Sequence, residues 1–301
     1  MLARRQLLAL LGAGAARSQS PAPNPTTSAE PPIEFTCPMD KDVKLRGPGK
    51  CPRCGMNLSA HLPEPIEYGF DIRTTPHPVR AGQPTTFDFG IIDPKSNKPA
   101  RHFELIHEKL FHLFLVSHDL SYFAHEHPEQ LPNGRFRFQT TLPRPGAYRL
   151  VADCYPRGAT PQFLTRTLIT AAAPAEAFAT TPAPLAATPL RQRAANLTVE
   201  LTLQPAQPIA GDECILFFTL RPHDGLEQYL AAWGHMLVAS DDLIDLIHDH
   251  PLYSYPTETV RPQVQFNVLF PRPRTYRVWV QFQRLGVVNT VAFNIPVKEL
   301  A

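Results

Sequence analysis

Hydrophobic and polar positions alternate in short runs through most of this chain. FDFGII, LFHLFLVS, RFRFQTTL, YRLVADCY and FLTRTLIT follow one another up to residue 170, and LTVELTL, CILFFTL, HMLVAS, QVQFNVLF, YRVWVQF and TVAFNI fill the last hundred residues. A period of two sends successive side chains to opposite faces, so each run reads as a β-strand, bounded by Pro, Gly and Asn turns. Roughly six to eight such strands per hundred residues predict an antiparallel β-sandwich of immunoglobulin or cupredoxin type. The expected fold is mainly β, with one sandwich over residues 65–170, an Ala/Pro-rich linker over 171–192 and a second sandwich over 193–299. No long amphipathic helix is apparent, and 34 prolines favour short strands and rigid turns.

The two sandwiches read as copies of one another. A single offset of 123 residues carries His112 onto His235, His125 onto His248, His127 onto His250 and Pro128 onto Pro251. Upstream, Ala81-Gly82 is echoed by Ala210-Gly211. Downstream, Pro143 to Arg149 is echoed by Pro271 to Arg277, with Tyr148 and Tyr276 expected at a corner leading into a late strand. Order and spacing kept together over this length indicate a duplication.

The repeated histidines are the first candidate chemistry. On a strand His125 and His127 share a face, as do His248 and His250. If His112 and His235 lie on neighbouring strands, three imidazoles converge in each copy, a set that suits Zn(II) or Cu(II) and leaves a position open. Asp119 or Asp242 could orient a ring. A structural reading accounts for the same residues: a solvated turn before proline, or a core histidine bonded to a backbone carbonyl. His61, His77, His102, His107, His118 and His223 have no counterpart in register and read as surface residues, with His107 and His118 as candidates for an extended site. A blue-copper centre is not expected. It needs a Cys and a His a few residues apart, yet no His follows Cys154 until His223, and Phe282 holds the matching place in the second copy.

Ahead of the sandwiches, residues 34–60 hold a different donor set. Cys37, Cys51 and Cys54 lie close together with Met39 and Met56, and Cys51-Pro-Arg-Cys54-Gly55 is a C-x-x-C turn in which glycine permits a tight reversal. A segment this short cannot bury a core, so a metal or a disulfide is expected to hold it. The pattern CPM, eleven residues, CPRCGM resembles the small heavy-metal-binding domain found beside copper-transporting P-type ATPases and in copper-efflux adaptors. The resemblance implies a copper or zinc site built from Cys37, Met39, Asp40, Cys51, Cys54 and Met56. The family usually reads Cys-Pro-Met-His. Here Asp40 stands in the His position, and a carboxylate suits zinc better than Cu(I). The missing helical pattern sets this chain apart from an efflux adaptor. The doubled sandwich also loosely resembles secreted proteins that pair such a knuckle with β-sandwich repeats.

Charge and the chain start complete the picture. The formal charge is +2 without basic clusters, which gives no nucleic-acid footprint. Residues 1–16 read as an export signal, with Arg4-Arg5 ahead of an apolar run too short to span a membrane, in the manner of a twin-arginine signal. Residues 17–33 read as a flexible tether. Of the five cysteines, Cys154 and Cys214 fall in apolar runs and read as buried free thiols, the alternative being a bridge between them. The expectation is an exported periplasmic or secreted protein that binds copper or zinc ions for sequestration, resistance or handover. Its partners would be metal ions and a metal transporter or other envelope protein, and the chain would not span the membrane once the signal is removed. The alternative is a non-enzymatic envelope scaffold with a structural metal knuckle. An enzyme is the weakest reading: a three-His metal beside Glu126, Asp249 or Asp242 would be needed, and no nucleophile arrangement, phosphate loop or H-E-x-x-H helix is present.

Overall fold

The computed structural model describes residues 34–61 (except 38, 41 and 42), 66–175, 185–251 and 263–300. The predicted export signal and tether, and positions 176–184 of the predicted linker, lie outside the described residues. Two compact units divide between Pro63 and Glu64. No α-helix occurs among the described residues, and every strand pairing is antiparallel, as the alternating pattern predicts.

The first unit is a three-stranded sheet of β1 (Glu34–Thr36), β2 (Lys44–Leu45) and β3 (Ser59–His61), with β1 central. Among the described residues its core is Cys37, Cys51 and Leu58, with Phe35 and Val43 packed alongside. That is too little apolar surface to hold a fold alone.

The second unit contains both repeats. In the first, β4 (Gly69–Thr75), β5 (Pro84–Asp93), β6 (Lys98–Pro99), β9 (Glu129–Gln130) and β10 (Phe136–Thr141) form one sheet. The other runs β12-β11-β7-β8, from β7 (Phe111–Ser117), β8 (Phe123–Glu126), β11 (Ala147–Cys154) and β12 (Gln162–Ile169). The second repeat has the same plan. Its first sheet is β13 (Arg191–Arg193), β14 (Thr198–Gln204), β15 (Glu213–Arg221) and β19 (Gln263–Leu269). Its second holds β16 (Leu226–Glu227), β17 (His235–Ser240), β18 (Leu246–Asp249), β20 (Thr275–Arg284) and β21 (Val287–Pro296). Each sandwich closes over its own core, centred on Phe87, Phe89 and Phe136 in one and on Phe218, Phe266 and Phe293 in the other.

Local devices repeat as the duplication predicts. Gly82 and Gly211 adopt left-handed φ of 75° and 84°, and their amides donate to Leu142 O and Phe270 O. The Tyr148 hydroxyl donates to Arg144 O at 2.7 Å and that of Tyr276 to Arg272 O at 3.0 Å, so both tyrosines sit at corners. Cys154 and Cys214 are buried free thiols.

β7 and β17 depart from simple alternation, because every residue of both strands is buried. Phe111, Leu113 and Leu115 point into the first sandwich, and Met236 and Val238 into the second. Their outward neighbours are covered by the other repeat. Phe114, Val116, Leu120 and Val151 meet Leu237, Ala239, Leu243 and Trp279 in a third apolar cluster, where the rings of Trp279 and Phe123 stack 5.1 Å apart. Each buried Val, Leu or Phe side chain here stabilises the docked pair by about 1.5–3 kcal/mol. The β12-β11-β7-β8 sheet of one repeat therefore faces its counterpart in the other. His112 and His235 are the polar members of these two outward rows.

Candidate metal centres

In the first unit, Cys37, Asp40, Cys51 and Cys54 bring four donor atoms within 4.8 Å of one another. Cys37 Sγ lies 3.4 Å from Cys54 Sγ, and Cys51 Sγ lies 3.2 Å from Asp40 Oδ2. The Asp40 amide donates to Cys37 Sγ at 3.3 Å and lowers the pKa of that thiol. Although the Met56 amide pulls Cys54 down, lost hydration and the neighbouring Cys37, Cys51 and Asp40 push it up to about 12. Four acids this close cannot all ionise unless a cation shares their charge, and three sulfurs with one carboxylate form a tetrahedral donor set. Met39 and Met56 are 71 % and 40 % exposed.

In the second unit the three histidines of each repeat converge. β8 pairs with β7 so that His125 stands opposite Phe114, on the outward face that also carries His112. His112 Nδ1 lies 3.1 Å from His125 Nε2 and 3.2 Å from His127 Nε2. In the second repeat β18 pairs with β17 in the same register, His248 stands opposite Leu237, and His235 Nδ1 lies 2.9 Å from His250 Nε2. Each trio places one nitrogen per ring within 4.8 Å of the others. Nitrogens ~2.0–2.1 Å from a tetrahedral ion would be about 3.3 Å apart.

The proton positions follow from the partners. A carbonyl oxygen only accepts, so His112 Nε2 donates to Ile106 O at 2.9 Å and His235 Nε2 donates to Tyr229 O at 2.7 Å. The Nδ1 atoms of both neutral rings are therefore bare. His248 Nδ1 donates to Asp153 Oδ2 at 2.6 Å, and its buried Nε2 has no hydrogen-bond partner. His125 Nδ1 donates to Gln281 Oε1 at 2.7 Å, so its bare Nε2 faces the bare His112 Nδ1. Lone pairs directed at one another across about 3 Å repel, and a cation between them turns repulsion into ligation. Burial pushes His112 down to about 4 and His127 and His235 to about 3, and it holds His125 and His250 lower still, so these five rings stay neutral at ordinary pH.

Several expected assignments change. Asp119 and Asp242 do not orient a histidine. Asp119 accepts from the Ser117 and Ser121 hydroxyls, and Asp242 from Ser240 and Arg272. The orienting groups are Asp153 and Gln281, each acting on the histidine of the opposite repeat. They are matching positions, since Asp153 stands opposite His112 and Gln281 opposite His235. No repeat signal marks them, because one is acidic and the other an amide. His107, read as a surface residue with a candidate role, is partly buried and stacks on His250 with ring centroids 3.6 Å apart. His118 follows β7 at the end away from His112, about 20 Å along the strand, and belongs to no extended site. Glu126 and Asp249 pair with inward-facing Leu113 and Met236, on the opposite face of their strands from the histidines. Burial raises both carboxyls. The enzymatic reading thereby loses its proposed bases.

Fold and sites together define a class: a cysteine metal knuckle joined in one chain to a docked pair of immunoglobulin-like sandwiches bearing two histidine trios. The family model described as a domain of unknown function, DUF8832, matches residues 67–168 and again 192–299, and the chain belongs to that family. Residues 35–59 match the heavy metal binding domain, in agreement with the cysteine pattern. No curated protein matches the chain. Among solved structures it is similar to the adhesin InvE of Yersinia pseudotuberculosis, at 12 % identity over 77 % of this chain and 60 % of that one, TM-score 0.23. The Escherichia coli adhesin FdeC is 13 % identical over 78 % and 66 %, TM-score 0.26. A two-domain fibronectin type III segment of chicken tenascin is 9 % identical over 77 % and 100 %, TM-score 0.22. The chain thus spans 60 % and 66 % of the two adhesin chains. Among the described residues no helix is long and apolar enough to cross a membrane.

Proposed function

We propose that this protein is an exported heavy-metal binder that holds copper or zinc in the periplasm for sequestration, resistance or handover, without catalysing a reaction. The observation that carries the reading is the His248 ring. Its side chain is 1 % exposed, its Nδ1 is tied to Asp153, its buried Nε2 has no hydrogen-bond partner, and the ring belongs to a set of three imidazoles with one nitrogen each within 4.8 Å of the others. Stability alone gives no reason to bury an unpartnered ring nitrogen in that setting, whereas ligation does. The matching trio in the first repeat and the heavy metal binding domain at 35–59 support the same conclusion. Asp40 inclines the knuckle toward zinc over Cu(I), and the imidazole trios suit Cu(II) or Zn(II). The arginine pair before a short apolar run supports export.

Elemental analysis of purified protein reconstituted with copper or zinc tests this. One ion per donor set is expected. His125→Ala with His127→Ala should remove the share of one trio, and Cys51→Ser with Cys54→Ser that of the knuckle. Substoichiometric metal in the unmutated protein, or full metal in both variants, overturns the reading.

A further inference from the structure

The histidine trios are not two remote sites. His112 and His248 have ring centroids 5.6 Å apart, His125 and His235 5.7 Å, His125 and His248 6.0 Å, and His112 and His235 6.1 Å. Within the trios the centroids are 4.4–6.3 Å apart, so rings from opposite repeats are as close as rings of one trio. We propose that the two trios are halves of one dinuclear centre, completed only when the repeats dock, which takes a pair of Cu(II) or Zn(II) ions. This rests on reading the trios as metal sites and adds that the ions are held as a pair.

Three observations carry it. First, neither half is complete alone, since Gln281 of the second repeat fixes His125 of the first, and Asp153 of the first fixes His248 of the second. An isolated repeat would leave its central ring free to rotate. Second, the histidines lie on the one strand face that the other repeat covers, at the edge of the apolar cluster joining the two. Solvent-facing positions would serve independent sites equally well. Third, the turn before β7 reaches across. His107, at a left-handed φ of 46°, lays its ring over His250 and within 5.5 Å of the His235 ring. The matching position in the second repeat is Leu230, also left-handed at 50°. The pair is therefore built asymmetrically: the second-repeat trio has an anionic anchor and a seventh imidazole nearby, and the first-repeat trio has an amide anchor. A carboxylate hydrogen-bonded to a ligating imidazole raises the basicity of the ring, so the second-repeat trio should fill first.

The test is electron paramagnetic resonance of the full chain carrying Cys37→Ser, Cys51→Ser and Cys54→Ser, titrated with Cu(II). With metal–nitrogen bonds of ~2.0–2.1 Å, ions held by rings this close lie within range of magnetic dipolar coupling. One equivalent should give a mononuclear spectrum. Two equivalents should give dipolar broadening with a half-field transition, or a loss of integrated intensity through spin pairing. Filling the first site with diamagnetic Zn(II) before adding Cu(II) should abolish the coupling in an unmutated second unit, and this arm needs no histidine variant to fold. Two unperturbed mononuclear spectra at full loading would overturn the pairing while leaving the binding function intact. Failure to bind a first equivalent would overturn the pairing and the reading of the trios as metal sites together.

Discussion

Replacing Asp153 by asparagine isolates the part of metal affinity that one repeat lends to the other. The carboxylate accepts from His248 Nδ1 at 2.6 Å, and the His248 side chain is 1 % exposed, so no water can substitute. An asparagine at this position could still present an oxygen to that N–H and keep the tautomer. The lost quantity is the negative charge that makes the ring a stronger donor through Nε2. Removing such a partner of a metal-bound histidine costs about 10–100-fold in affinity, or about 1.4–2.8 kcal/mol. Gln281→Glu is the reciprocal change and should strengthen the first-repeat trio by a similar factor, since the new carboxylate would take the place of the Oε1 that now accepts from His125. The measurement is competition for Zn(II) against a chromophoric chelator. Both are made in the chain carrying Cys37→Ser, Cys51→Ser and Cys54→Ser, so that the knuckle takes no Zn(II). Asp153→Asn is placed there in a background of His112→Ala and His127→Ala, where only the second-repeat trio binds. Gln281→Glu is placed in a background of His235→Ala and His250→Ala. If both substitutions change affinity by less than about 3-fold, well short of that range, the cross-repeat bonds do not tune the ligands and the electrostatic argument fails.

Other outcomes test the remaining steps. Acid should destabilise the second repeat through Asp242: burial would raise this carboxyl, but bonds from Arg272 at 2.8 and 2.9 Å and from Ser240 outweigh that and hold it at about 2. Because the folded value lies below the unfolded 3.8, the contribution is complete above pH 4 and is lost as pH falls toward 2, so the thermal midpoint should drop across that window and Arg272→Leu should flatten the drop. Tyr148→Phe removes the 2.7 Å bond to Arg144 O and should cost about 0.5–1.5 kcal/mol in urea unfolding; an unchanged midpoint would show that the corner bond is immaterial. In chelator-treated native protein a thiol reagent should modify exposed Cys54, whereas Cys154 and Cys214, at 0 % exposure, should react only after denaturation; early labelling of either buried thiol would contradict the packing.

Much of this was legible along the chain because its signals are local. Period-two runs specify strands, since alternate side chains leave opposite faces of an extended backbone, and FDFGII became β5 and YRLVADCY became β11. The CPM and CPRCGM steps lie within about twenty residues, so spacing alone suggested a common focus for Cys37, Cys51 and Cys54. Duplication revealed the histidines because identical residues recur at a constant offset. Asp153 and Gln281 were hidden for the opposite reason, and His107 stood out only as a surface residue with a candidate role. Asp153 and Gln281 occupy matching positions yet differ chemically, and His107 is matched by Leu230, so no repeat signal marks them. Their partners lie up to 156 residues away. The continuous burial of β7 and β17 shows the same division. Residue order makes both strands apolar on two faces, but only docking of the repeats says what covers the second face. Local backbone geometry is written in neighbouring residues, whereas the meeting of the two histidine trios depends on free energy shared between surfaces far apart in the chain.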